Sequence, residues 1–207
     1  MKDLKLDDLR VPAPAEGAEG TPTAVPTDPV GPLGYLMDLP KPVIAAVNGP
    51  AIGMGAVLAL WADLRFMGEE AMFGMGFSER GTVAESGSSC LLTRLIGPSA
   101  AIDLLVSSRR ITAEESLALG LVNRVVPAAA LVDSAREYVA ALARTCSPAS
   151  MATIKQQVYS ELPDDLGKSV RTSRRLLAEA VDGPDIKEGW QSFLEKRAPR
   201  FARVGSA

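Results

Sequence analysis

Apolar and polar positions divide the chain into two unlike stretches. Over residues 11–34 apolar side chains recur with no period, and Pro12, Pro14, Pro22, Pro26, Pro29 and Pro32 alternate with glycines, so no face can be buried and a flexible linker is expected. Those prolines are not set in repeated PxxP units beside basic residues, which argues against a polyproline ligand. Order is expected from Leu39-Pro40-Lys41-Pro42 onward. Val43-Ile44-Ala45-Ala46-Val47 is a continuous apolar run of strand length, ended by Asn48-Gly49-Pro50, and predicts a strand buried on both faces. After Ala51-Ile52-Gly53-Met54-Gly55, residues 56–62 are small and apolar all round, as in a helix packed inside a domain. Leu64-Arg65-Phe66-Met67 and Ala71-Met72-Phe73-Gly74 predict two short strands, with residues 75–85 irregular.

Ser86-Gly87-Ser88-Ser89 offers N-cap residues for a helix through Leu91, Leu92, Leu95 and Ile96, closed by Gly97-Pro98 and succeeded by a second helix over 99–107. Thr112-Ala113-Glu114-Glu115 has capping-box spacing and starts a short helix ending at Gly120, before a strand over 121–126. Beyond Pro127 the period is helical, over 131–144, 149–159, 167–181 and 185–197. The expected class is therefore α/β: a flexible segment over 1–38, a core over 39–127 and a helical region over 128–207.

Composition narrows the chemistry. The 207 residues are 47% hydrophobic and 23% charged, which suits one domain with a sizeable core. A formal charge of -3 and a pI near 5.2 give no reason to expect a nucleic-acid or anionic-membrane partner. No run approaches the roughly eighteen apolar residues that span a bilayer, and the acidic start is unlike a signal peptide, so a cytoplasmic location is expected. The chain has no histidine, which removes Ser-His-Asp triads, Cys-His pairs and His-ligated metals together. Cys90 and Cys146 sit in no CxxC pattern, so neither a disulfide nor a metal site is expected. Acid–base work falls to carboxylates, lysines or tyrosines.

The turn at Gly53-Met54-Gly55 joins a strand to a helix, where the first backbone N–H groups lack intrahelical partners at the positive end of the dipole and can hold an oxyanion. The glycines could equally serve only close strand–helix packing, and on spacing alone both readings stand. A dinucleotide turn is disfavoured, since the third small residue is missing.

Lys41-Pro42-Val43-Ile44-Ala45-Ala46-Val47-Asn48-Gly49-Pro50-Ala51-Ile52-Gly53-Met54-Gly55 resembles, almost residue for residue, the central strand and oxyanion turn of the enoyl-CoA hydratase/isomerase (crotonase) superfamily. The resemblance continues through Ala62-Asp63-Leu64-Arg65, Ala71-Met72-Phe73-Gly74, Leu95-Ile96-Gly97, Ile111-Thr112-Ala113-Glu114-Glu115, Ala118-Leu119-Gly120-Leu121-Val122 and Phe193-Leu194-Glu195-Lys196-Arg197. It implies a crotonase-like spiral of β-β-α units, here partial, with a C-terminal helical region that trimerises and binds CoA. It also implies an acyl-CoA thioester substrate, no cofactor beyond that CoA, and assembly as a homotrimer or homohexamer. Met54 N–H becomes one donor to the thioester oxygen. The second donor belongs in the family to a Gly-Ala-Asp loop. Met1-Lys2-Asp3-Leu4 resembles the residues directly C-terminal to that loop, so the sequence is expected to begin just after it.

Departures from the family pattern matter as much. The two glutamates with which family hydratases activate water align with Val57 and Phe77, neither of which moves a proton. Gly81-Thr82-Val83-Ala84-Glu85-Ser86-Gly87-Ser88-Ser89 resembles instead the segment that carries the single base of family enoyl-CoA isomerases, with Ala84 in place of the usual proline. Glu85 is then the expected acid–base group, and a glutamate that is partly buried would have its pKa raised towards the working range; the alternative is a helix N-terminal charge only. Glu79 and Arg80 read as a solvated pair. Phe193 and Lys196 match family CoA contacts, whereas Lys196, Arg197, Arg200 and Arg203 could also be a solvated basic end. The expected reaction is double-bond isomerisation, with hydration or thioester cleavage open. The rival reading is a non-catalytic acyl-CoA-binding or assembly protein, or an inactive fragment.

Overall fold

The structure, a computed structural model, describes residues 33–161, 175–176 and 183–202. The expected linker over 11–34 and the helix over 167–181 lie almost wholly outside the described residues. Order begins sooner than expected, with α1 (Tyr35–Asp38), because Leu33, Leu36 and Met37 pack against the core.

Beyond α1 the strands form two three-stranded sheets. In the first, β1 (Ile44–Val47) pairs in parallel with β3 (Leu64–Gly68), Ile44 opposite Leu64. β3 pairs in parallel with β6 (Arg124–Val126), Phe66 opposite Arg124. In the second, β2 (Ala51–Ile52) runs parallel to β4 (Met72–Gly74), and β5 (Ile111–Thr112) runs antiparallel to β4. β1, β2 and α2 (Met54–Trp61) form one β-β-α unit, and β3, β4 and α3 (Ser88–Ser107) the next, each unit giving one strand to each sheet. The Asn48-Gly49-Pro50 corner carries the chain from one sheet to the other: proline lacks an N–H for the ladder, so pairing stops there. The two-residue strands β2 and β5 had no signal in the sequence, because two residues show no period.

Between the sheets and α2 and α3 lies one core. Val57, Met67, Phe73, Met75, Leu92 and Leu104 each have 0% exposure, and removing such a side chain from water is worth about 1.5–3 kcal/mol. Phe66 meets Tyr138 of α5 (Leu131–Thr145) edge to face at 5.6 Å, and the Arg124 guanidinium stacks 5.0 Å from the Phe66 ring and 4.8 Å from that of Tyr138. α5 thereby covers the outer face of the first sheet. α6 (Pro148–Glu161) and α7 (Pro184–Leu194) complete the helical region.

Several local expectations hold in detail. α3 is broken at Gly97 (φ 78, ψ 163), where the sequence closes one helix and Pro98 opens the next. By length and composition α3 could cross a bilayer, but the break leaves two segments of about ten residues, each short of a span. In α4 (Ala113–Ala118) the Thr112 hydroxyl accepts from Glu115 N–H at 3.2 Å, as the capping spacing predicts, while the Glu115 carboxylate turns to Arg109 at 2.7 Å. Three expectations are corrected. β1 is not buried on both faces: among the described residues it is an edge strand and Ala46 is exposed. α2 is not buried all round, since Met54 and Leu58 are each 48% exposed. The strand expected over 121–126 is confined to 124–126, because Leu121 and Val122 N–H groups turn back to Ser116 O.

Candidate active site

The turn after β2 is built by backbone geometry. Gly53 N–H donates to Gly74 O at 3.1 Å, locking the turn to β4, and Gly53 adopts φ 55, ψ -120, a region costly for any residue with a Cβ. The first bond of the α2 ladder runs from Val57 N–H to Gly53 O at 2.9 Å, so the amides of Met54 and Gly55 precede it and are available to an anion. At the other end of α2, the buried Arg65 guanidinium donates to Ala59 O at 3.2 Å, Ala62 O at 2.7 Å and, across the core, Leu121 O at 2.7 Å. A cation on the terminal carbonyls complements the dipole whose positive end faces the turn. Burial lowers the Arg65 pKa from its ordinary value, opposed by Tyr159 and Asp63.

A second buried polar cluster fixes the entry to β1. Asp63 accepts from Val43 N–H at 2.6 Å, Lys155 Nζ at 2.8 Å and Tyr159 OH at 2.7 Å. Lys155 Nζ also donates to Leu36 O at 2.7 Å and Lys41 O at 3.1 Å, which uses all three of its protons. Burial, then the bond to Asp63, pushes the Tyr159 hydroxyl pKa well above its ordinary value. An open groove of about 480 Å³ runs along β1 past the corner to the first turns of α2, lined among others by Ala46, Val47, Asn48, Gly55 and Leu58.

Val57 and Phe77, the positions of the hydratase glutamates, are both core residues, at 0% and 6% exposure. Glu85 is exposed, not partly buried, and its carboxylate makes no hydrogen bond among the described residues. The segment after it is joined to α2 by a bond from Trp61 Nε1 to Ser86 O at 3.0 Å. Met54 and the Glu85 turn thus attach to opposite ends of one helix, whose ends are about 10 Å apart along its axis. Glu79 and Arg80 form the expected exposed pair at 2.5 Å, with Arg80 also on Gly76 O.

Lys196 is exposed, at φ 51 in the turn after α7, and makes no hydrogen bond or ion pair among the described residues. Phe193 belongs to the last turn of α7; its side chain and Arg203 lie outside the described residues. Arg197 is not a free basic residue, since it pairs with Glu188 at 2.6 Å and Glu195 at 2.5 Å. Trp61, Asp63 and Lys155 drew no functional reading from the sequence. The one available signal was a bulky Trp61 in a helix of otherwise small or aliphatic residues; 92 residues separate Asp63 from Lys155, and nothing local links them.

The profile of the family described as enoyl-CoA hydratase/isomerase matches residues 30–203. The chain is 39% identical over 178 residues to the carnitinyl-CoA dehydratases of Citrobacter koseri and Salmonella typhi, covering 82% of this chain and 68% of each relative. The solved enoyl-CoA hydratase of Bacillus anthracis superposes with a TM-score of 0.79 at 32% identity, over 82% of this chain and 65% of that one. That of Polaromonas sp. JS666 gives 0.78 at 31%, over 82% and 66%. This chain belongs to the enoyl-CoA hydratase/isomerase, or crotonase, family, and it spans slightly less than two thirds of the length of these solved members.

Proposed function

We propose that the chain acts on acyl-CoA thioesters and shifts the double bond of an enoyl-CoA, with Met54 N–H on the thioester oxygen and Glu85 carrying the proton. Glu85 takes a proton from C2 of a 3-enoyl-CoA, and the C2–H electron pair enters the C1–C2 bond. The negative charge moves to the thioester oxygen, where the amide and the α2 dipole stabilise it. The same carboxyl group returns the proton at C4, giving the 2-enoyl-CoA and regenerating the carboxylate. No water is consumed and no redox step occurs; CoA enters as part of the substrate. The observation that carries this reading is that both hydratase-glutamate positions, Val57 and Phe77, are apolar and buried, leaving Glu85 as the carboxylate beside the helix that bears the turn.

The small side chains along the groove beside Gly55 suit an apolar acyl chain. Phe193 and Lys196 are the proposed CoA contacts, Lys196 being free to meet a phosphate. In this reading the protein is a cytoplasmic homotrimer or homohexamer with no metal and no nucleic-acid or membrane partner. A second reading, elimination of water from a 3-hydroxyacyl-CoA, is favoured by the 39% identity to proteins named carnitinyl-CoA dehydratases.

Incubation with a 3-enoyl-CoA, monitoring the conjugated thioester by its absorbance, tests the proposal. Turnover is expected, and Glu85→Gln should lower it about a hundredfold or more while acyl-CoA binding by calorimetry persists. Turnover of carnitinyl-CoA but not of the 3-enoyl-CoA would establish the second reading. Binding without turnover of either would leave a non-catalytic acyl-CoA-binding protein.

A further inference from the structure

Glu85 opens a tight turn whose conformation is unusual for its sequence. Ser88 N–H closes the turn onto Glu85 O at 3.0 Å, and the two central residues, Ser86 and Gly87, have φ 51 and φ 72. Two consecutive positive φ values suit glycine at either position but strain a serine, so the turn persists only where its surroundings hold it. The Ser88 side chain does not help: it is fully buried and its Oγ has no hydrogen-bond partner. Among the described residues, the bond from Trp61 Nε1 to Ser86 O at 3.0 Å is the one side-chain hydrogen bond onto residues 84–88. The Trp61 side chain is 3% exposed, and its Cζ2 lies 3.5 Å from where a Cβ on Gly87 would stand. The indole therefore holds the turn by its N–H and packs beneath it with its ring. Because Trp61 is the last residue of α2, it references the turn to the helix whose first residue is Met54.

From this geometry we infer that Trp61 is a positioning residue for Glu85, fixing where the turn that carries the carboxylate stands relative to α2. The inference rests on Glu85 being the base. Trp61→Phe keeps an aromatic ring in the core but removes the donor together with the outer-ring atoms that pack beneath Gly87. Two readouts are expected. Hydrogen–deuterium exchange of the Ser88 amide, whose bond closes the turn, rises about tenfold or more while β3 and α5 keep their protection. On a 3-enoyl-CoA, kcat falls roughly tenfold to a hundredfold with KM within about twofold, as a small displacement of a reacting group produces. Gly87→Ala, which strains the turn from its other side and leaves the indole in place, should give the same local loosening should Trp61→Phe fold poorly. Unchanged exchange at the Ser88 amide overturns the inference, as does wild-type kcat in Trp61→Phe when Glu85→Gln has lost turnover. Turnover that survives Glu85→Gln instead overturns the assignment of the base, a result distinguishable from the other two.

Discussion

Arg65 shows how much of the site depends on one buried side chain. At 3% exposure it satisfies carbonyls at the end of α2 and Leu121 O, groups that would otherwise be buried without partners. Arg65→Met should cost about 2–4 kcal/mol, read as a lower urea midpoint with an unchanged slope. Arg65→Lys should recover only part, since one ammonium cannot reproduce the fork; a loss under about 0.5 kcal/mol in Arg65→Met would mean that the carbonyls find water instead. At this scale the sequence was informative about chemistry and weak about environment. Glu85 could be singled out from its neighbours, but its exposure depends on how the Ser86-Gly87 turn leaves the core, which no residue type specifies.

Among the elements, α6 is joined to α1 and the entry to β1 by the polar contacts of Lys155 and Tyr159. Lys155→Met removes three hydrogen bonds at once and leaves the Asp63 carboxylate, 14% exposed, without its cation. A loss of about 3 kcal/mol is expected, with hydrogen exchange rising first in α1 and α6; a uniform rise would instead indicate that the cluster carries no local role. At the far end, Glu188 of α7 is held down to about 2, first by the Arg197 side chain and then by Arg200 N–H. A depressed carboxyl pKa contributes stability that is complete above the ordinary value of 4.5 and disappears as pH falls towards 2. Protection of the segment after α7 should therefore decline between pH 4.5 and 2, and Glu188→Gln should reduce that dependence to the part due to Glu195, which Arg197 also holds down. Single-element boundaries were well placed where period or punctuation was strong, as at Gly97-Pro98 and Thr112.

For the whole molecule, exposed apolar side chains are spread over both the core and the helical region, and two of them stand together on α6. Ile154 and Val158 stand one turn apart on α6, at 57% and 56% exposure. Contiguous exposed apolar surface marks interaction sites, and the proposed trimer would give this pair a partner to pack against. Sedimentation equilibrium should give a mass about three times, or six times, that of the 21.8 kDa chain. Ile154→Asp should shift it towards the monomer without lowering the melting temperature of the dissociated form. A monomeric wild type would remove the assembly proposal and leave the fold untouched.

The sequence by itself determined the features that depend on neighbours in the chain. The β1 run, the Gly53 turn, the capped α4, the broken α3 and the helical stretches beyond Pro127 arise from local patterning, because backbone preference and period act over a few residues. The absence of histidine and the apolar residues at 57 and 77 were likewise fixed by composition and alignment of motifs. Tertiary structure alone decided that β1 is an edge among the described residues, that two-residue strands β2 and β5 join β4, and that Asp63 meets Lys155. It also decided that Trp61 ties the Glu85 turn to α2. Each of these is a contact between groups far apart in sequence, and its energy exists only once the core has brought them together; no local signal encodes a partner that the chain has not yet reached.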